Sequence, residues 1–193
     1  MKAIAICGSP RKDGNTEFLL RRCLDRLSSE GIETEFVALR GRTIRGCIAC
    51  RRCAETKDGT CAVKDDDFDT VFSAMKAADI IVVGSPVYFG SATPEMMALL
   101  DRAGYVSRNS ANIFSRKIGG PIVVARRAGH NFTFAQLLLW FVINDMIVPG
   151  SSYWNIAFGR GPGEVADDEE ALETVDRFAE NIAWLAGKLA AQG

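Results

Sequence analysis

Short apolar runs and longer amphipathic stretches alternate from one end of the chain to the other. This is the pattern of a parallel sheet covered by helices on both faces. Ala3 to Cys7 predicts the first strand. After a polar loop, Leu20, Cys23, Leu24 and Leu27 recur at i, i+3, i+4 and i+7, the buried stripe of a helix that stops at Gly31. Thr34 to Leu39 predicts a second strand, and residues 40 to 65 then show neither period. That segment is expected to be an inserted loop of about 25 residues, longer than structural connections usually are. Asp65 to Asp67 offer N-caps for a helix that buries Phe68, Val71, Phe72 and Met75. Ile80 to Val83 predicts the next strand, and Thr93 and Pro94 read as N-cap and first residue of a helix reaching about Ala103. Ile118 to Ala125 predicts a buried strand, Phe134 to Asn144 a helix, and Tyr153 to Phe158 a fifth strand. Asp168 to Ala191 closes the chain as a helix with Leu172, Val175, Phe178, Ala179 and Ile182 on one face.

Five such strands and five helices fit an α/β, doubly wound, flavodoxin-like parallel sheet of order 2-1-3-4-5. Its ligand crevice lies beyond the carboxyl ends of strands 1, 3 and 4. At 193 residues, one domain spanning residues 1–193 is expected, with the cysteine-rich loop 40–65 as its insertion. The formal net charge of −1 gives no electrostatic footprint for nucleic acid or an anionic membrane. Ala135 to Ile143 is the most apolar stretch, about half of the ~20 residues a membrane helix needs, and reads as a core helix. Met1 to Cys7 shows no secretory pattern, so a cytoplasmic setting is expected, where clustered cysteines serve as metal or redox ligands rather than disulfides.

Three loops fall at the expected crevice. The first, Gly8-Ser9-Pro10-Arg11-Lys12-Asp13-Gly14-Asn15-Thr16, joins a strand to a helix and combines hydroxyls, cations and free helix N-terminal amides, which suits a phosphate. Asn15-Thr16 replaces the Lys and Ser/Thr of a Walker loop, and no G-x-G-x-x-G pattern is present. A phosphate monoester such as FMN remains, against the plainer reading that Asn15 or Thr16 merely caps the helix. The second loop, Ser85 to Gly90, places Pro86, Val87, Tyr88, Phe89 and Gly90 where a flavin ring would lie, although aromatic residues there also suit a core. In the third, Arg126, Arg127, Gly129 and His130 meet a flavin edge or a substrate, or are simply solvated.

The chain holds six cysteines and one histidine. Cys47, Cys50, Cys53 and Cys61 form C-x2-C-x2-C-x7-C, a spacing that brings thiolates round a compact loop to the corners of one cuboidal cluster. A [4Fe–4S] cluster is preferred to zinc, which usually draws two C-x2-C pairs or added histidine. Metal-free cysteines and a redox-active thiol pair stay open. Arg40, Arg42, Arg45, Arg51 and Arg52 fall around the motif, with no acidic residue from 40 to 54 to offset them. Cys7 and Cys23 read as small buried hydrophobes. Acidic residues from Glu164 to Asp176 read as a solvated helix face.

The first loop, the Cys47 to Cys61 motif followed by Asp65-Asp66, and Ser85-Pro86-Val87-Tyr88-Phe89-Gly90-Ser91-Ala92-Thr93-Pro94 together resemble the iron-sulfur flavoprotein branch of the NADPH-dependent FMN reductase-like superfamily. The likeness covers nearly the whole chain. It implies noncovalent FMN with Ser9, Arg11, Asn15 and Thr16 at the phosphate, Pro86 to Gly90 along the ring, and Cys47, Cys50, Cys53 and Cys61 as cluster ligands. It also implies a homodimer or homotetramer in which one subunit's cluster loop faces another subunit's flavin, with the Leu137 to Ile143 helix as contact surface. The activity implied is an FMN-dependent oxidoreductase or electron-transfer flavoprotein coupled to the cluster, with a small-molecule or ferredoxin-like redox partner. The alternatives are a cluster-free reductase of FMN or quinones using NAD(P)H, a non-catalytic electron carrier, and a thiol or metal sensor. No Ser/His/Asp set, HExxH or carboxylate pair supports hydrolysis.

Overall fold

The computed structural model describes residues 1–191. The order is β1 (Lys2–Cys7), α1 (Asn15–Ser29), β2 (Glu33–Ala38), α2 (Arg52–Thr56), α3 (Phe68–Ala77), β3 (Ile80–Pro86), α4 (Pro94–Arg108), β4 (Ile118–Ala125), α5 (His130–Ile143), β5 (Ile156–Phe158), a 3₁₀ turn (Glu164–Asp167) and α6 (Glu169–Ala190). The strands form one sheet in the order β2-β1-β3-β4-β5, and every pairing is parallel.

Side-chain alternation along the central strands builds two cores. Ile4, Ile6, Ile81, Val83 and Val123 face α3, α4 and α5, where Phe68, Phe72, Leu99, Leu100 and Phe141 meet them. Ala3, Ala5, Ile80, Val82, Ile122 and Val124 face α1 and α6, against Leu20, Leu24, Leu27, Val175, Phe178 and Ile182. Period 2 in the strands and the apolar stripe of each helix thus dictate the three layers. The first residues of β3 and β4 and the stripes of α1 and α6 are where the hydrophobic pattern predicts them.

The differences have local causes. Five residues of helix, α2, stand inside the cysteine loop, too short to show a period and bounded by left-handed Arg51 and Lys57. Six α-helices, not five, are therefore present among the described residues. α4 continues to Arg108, α5 begins at His130, and β5 keeps only Ile156–Phe158, because Tyr153 and Trp154 lie outside the ladder. α5 is only partly a core helix. Leu137 and Phe141 are buried, whereas Phe132, Leu139, Val142 and Ile143 are exposed.

The acidic face of α6 is also partly paired. Arg22 of α1 makes two bonds to Asp176 (2.7 and 2.6 Å), and Arg26 reaches Glu180 at 2.6 Å. Asp168 caps α6 through the Ala171 amide (3.2 Å) and also accepts from the Phe158 amide (2.8 Å), which fixes the start of that helix to the end of β5. Among the described residues, no helix is long and apolar enough to cross a membrane.

Candidate functional site

The cleft at the carboxyl ends of the strands starts from β1. The Gly8 amide donates to the Gly84 carbonyl (2.8 Å), and Thr93 Oγ1 donates to the Gly8 carbonyl (2.9 Å), so the loop leaves the sheet tied to β3 and α4. Thr93 precedes Pro94 as predicted, but its hydroxyl serves Gly8 rather than capping α4. α1 opens after Gly14 with no side-chain cap, which leaves its first amides without an intrahelical partner beside the buried Ser9 and Thr16. The capping role considered for Asn15 and Thr16 is not what the structure shows.

Asn15 has a different task. Its Nδ2 donates to the Gly161 carbonyl (2.8 Å), and its Oδ1 accepts from the Val165 amide (3.4 Å). Arg11 adds a bond from Nη1 to the Arg160 carbonyl (3.0 Å). The segment after β5 is thereby clasped to the start of α1. A Cβ at Gly159 would come within 2.4 Å of Asn15 Nδ2, so only glycine lets the two approach.

The second loop is a tight hairpin. Tyr88 and Ser91 exchange backbone bonds of 2.8 and 3.0 Å, and Phe89 (φ 51°) and Gly90 (φ 82°) both take the left-handed conformation of a type I′ turn. Gln136 of α5 braces it, its Oε1 accepting from Ser91 Oγ (3.0 Å) and the Ala92 amide (2.9 Å). Phe89 stands fully exposed at the tip.

A cleft of about 240 Å³ results, lined by Ser9, Arg11, Asn15, Thr16, Pro86, Val87 and Tyr88, and also by Val124, Arg126, Gly159 and Arg160. Phe89, Gly90, Arg127 and Gly129 are not among its lining residues; Arg126 rather than Arg127 turns toward it, and Gly129 (φ 86°) instead caps α5. Gly159 and Arg160 carried no signal in the sequence. They reach the cleft because Asn15, Arg11 and the Ala125 carbonyl hold their segment. An uncapped helix start, a buried hydroxyl and arginines on one side, with Pro86, Val87 and Tyr88 on the other, fit a phosphate joined to a planar ring.

The cysteines occupy a second recess. Cys53 is buried, Cys61 half-buried, and Cys47 and Cys50 exposed, and all four line one apolar hollow with Arg102, Tyr105 and Val106 of α4. No three of these or other His, Cys, Asp or Glu side chains converge as a single metal ion requires, among the described residues. Ala49, Arg51 and Lys57 all have positive φ, so the loop concentrates backbone strain between its cysteines. Burial pushes the thiol of Cys7 up to about 11 and that of Cys23 to about 12, and both are inert core residues.

The arginines predicted around the motif mostly point elsewhere. Arg40 pairs with Glu17 (3.2 Å), Arg42 bonds the Ala38 carbonyl (3.1 Å) and Arg45 pairs with Asp65 (2.7 Å), while Arg51 does line the recess. The arginine that touches a cysteine comes from α4: Arg102 donates from Nη2 to Cys61 Sγ at 3.4 Å. Asp66 and Asp67 likewise do more than start α3. The Arg45 amide donates to Asp66 (2.9 Å) and the Thr43 amide to Asp67 (2.7 Å), closing the base of the cysteine loop. Burial opposes the charge on Asp66, but the Arg45 amide and Arg102 outweigh it and hold the carboxyl below its ordinary value.

Residues 1–161 match the sequence model of the family described as NADPH-dependent FMN reductase. The chain belongs to that family. Within it the chain sits in the iron-sulfur flavoprotein branch: it is 37% identical over 195 residues to an iron-sulfur flavoprotein of Methanocaldococcus jannaschii, covering 95% of this chain and 96% of the relative. Another iron-sulfur flavoprotein, from Methanosarcina thermophila, is 32% identical over 184 residues, covering 94% of this chain and 93% of that one. In fold, this FMN reductase family member resembles the WrbA-like flavodoxin of Agrobacterium tumefaciens, with TM-score 0.66, 14% identity and 97% of each chain covered. The flavodoxin-like class read from the strand order is therefore correct, and the chain is a member of an FMN-binding reductase family.

Proposed function

We propose that the protein is an FMN-dependent oxidoreductase that couples FMN to a [4Fe–4S] cluster. The observation that carries this reading is the presence of two separate built sites in one chain, a cleft at an uncapped helix start and a recess lined by four thiols. Support for FMN comes from the family match, and support for a cluster from the names of the relatives.

Bound FMN supplies interchange between two-electron and one-electron transfer, and the cluster supplies one-electron transfer. The α1 amides, Ser9, Arg11 and Thr16 bind the phosphate, and Asn15 holds the wall formed by Gly159 and Arg160. Pro86, Val87 and Tyr88 exclude water from one side of the ring site. Phe89 and Gly90 at the hairpin tip, with Arg127 and Gly129 in the facing loop, form its rim. Cys47, Cys50, Cys53 and Cys61 ligate the cluster, their number and type suiting iron–sulfur chemistry. The exposed Phe132, Leu139, Val142 and Ile143 support assembly as a homodimer or homotetramer. The redox partner is a small molecule or a ferredoxin-like protein, and NAD(P)H is the donor suggested by the family's description.

Anaerobic purification with FMN, iron and sulfide quantified tests the reading. Wild-type protein is expected to hold all three, and Cys50→Ala to keep FMN while losing iron and sulfide. Wild-type protein with FMN but without iron or sulfide would leave a cluster-free reductase. Steady-state oxidation of NAD(P)H with a quinone or free flavin identifies a nicotinamide donor, whereas rapid reduction by reduced ferredoxin alone identifies a carrier.

A further inference from the structure

Arg102 is among the largest fully buried side chains, at 1% exposure. Its guanidinium face lies 3.9 Å from the centre of the Phe68 ring. One arm, Nη1, donates to the Arg45 carbonyl (3.2 Å) and to the buried carboxylate of Asp66. The other, Nη2, donates to the Val63 carbonyl (2.9 Å) and to Cys61 Sγ (3.4 Å). Arg45 stands two residues before the first cysteine of the motif, and Cys61 is its last. A single planar fork therefore grips both ends of the cysteine loop and one of its sulfurs. Lysine has no such fork and cannot make these four bonds in one plane.

We propose that Arg102 is the positioning residue of the cysteine site: it ties the two ends of the loop together and keeps its hydrogen bond to the Cys61 sulfur when that sulfur holds the cluster. The proposal rests on the cluster reading above and adds to it a device for assembly and for setting the potential. Four thiolates make the loaded site anionic, and accepting one electron makes it more so, with no bond formed or broken. A hydrogen bond donated to a ligating sulfur withdraws electron density from it, favours the electron-rich form and raises the reduction potential. Holding Arg45, Cys61 and Val63 in place before loading also lowers the ordering cost of binding.

The test uses full-length protein, purified anaerobically and reconstituted with iron and sulfide, as wild type, Arg102→Lys, and the double variant Arg102→Met/Asp66→Asn. The double variant leaves no unpaired charge buried, so it remains informative where the single substitution folds poorly. FMN content at the wild-type level reports an intact fold, because the FMN cleft is built from other loops. Both variants are expected to lose iron to a chelator about tenfold faster than wild type. Mediated titration followed by electron paramagnetic resonance is expected to show a lower midpoint, by about tenfold in the one-electron equilibrium or ~59 mV. A merely structural arginine would not move that potential. Wild-type iron retention together with an unshifted midpoint in both variants overturns the role of Arg102 and leaves the cluster reading intact. Wild-type protein that takes up no iron or sulfide overturns the cluster reading, and this inference with it.

Discussion

The clasp made by Asn15 gives a sharp prediction, because the residue stands in a loop whose pattern otherwise reads as phosphate binding. Its carboxamide is buried and makes two bonds to a segment about 150 residues further along, to the Gly161 carbonyl and from the Val165 amide. Each buried bond contributes about 0.5–1.5 kcal/mol net, so Asn15→Ala should cost ~1–3 kcal/mol without any ligand present. For a chain of this size that is a fall of roughly 2–12 °C in Tm. Asn15→Asp keeps the acceptor for Val165 but turns a second charged oxygen toward the Gly161 carbonyl, and should fare no better than alanine. The assay is thermal unfolding of FMN-free protein by circular dichroism, followed by FMN titration through flavin fluorescence. FMN affinity should fall as well, since Gly159 and Arg160 lose their anchor. A Tm within about 1 °C of wild type, below the smallest loss expected, with FMN binding nonetheless weakened, would refute the clasp and make Asn15 a direct phosphate ligand.

The remaining predictions concern the core and its buried charge. Glu17 is buried, and although burial opposes its charge, Arg21, Arg40 and the Asp13 amide hold its pKa below the ordinary value. Ionised Glu17 therefore stabilises the fold above the unfolded pKa of about 4.3, and the contribution is lost as pH falls through the lower folded value. Glu17→Gln should cost ~1–3 kcal/mol at pH 7 in urea denaturation and progressively less below pH of about 4; a constant cost across that window contradicts the assignment. At Gly84, a Cβ would lie 2.6 Å from Cδ1 of buried Leu20, so Gly84→Ala should cost ~1–3 kcal/mol by overpacking. Combining it with Leu20→Val should recover part of that cost, and strictly additive effects in the double-mutant cycle would disprove the close approach.

Local pattern carried the architecture. The unbroken apolar runs Ala3 to Cys7 and Ile80 to Val83, and the 3.6-residue stripes of α1 and α6, depend on neighbours in sequence, so the chain alone placed the elements and implied the sheet order. The cysteine spacing and the strand–loop–helix setting of Ser9 to Thr16 are equally local, which is why both candidate sites are legible in the chain alone. α2 escaped because five residues hold barely more than one turn, and its flanking left-handed residues are not glycines. Which residues of the Leu137 to Ile143 helix are exposed escaped, because hydrophobicity alone does not say which side of a helix meets the sheet. Contacts between residues far apart in the chain were decided only by tertiary structure. Arg102 meets Cys61 across 41 positions, and Asn15 meets Gly161 across 146, through side chains that look like ordinary surface or capping residues in their own segments. Sequence determined which groups this protein brings to its sites, and packing of α4 on the cysteine loop and of the last loop on α1 determined how those groups are held.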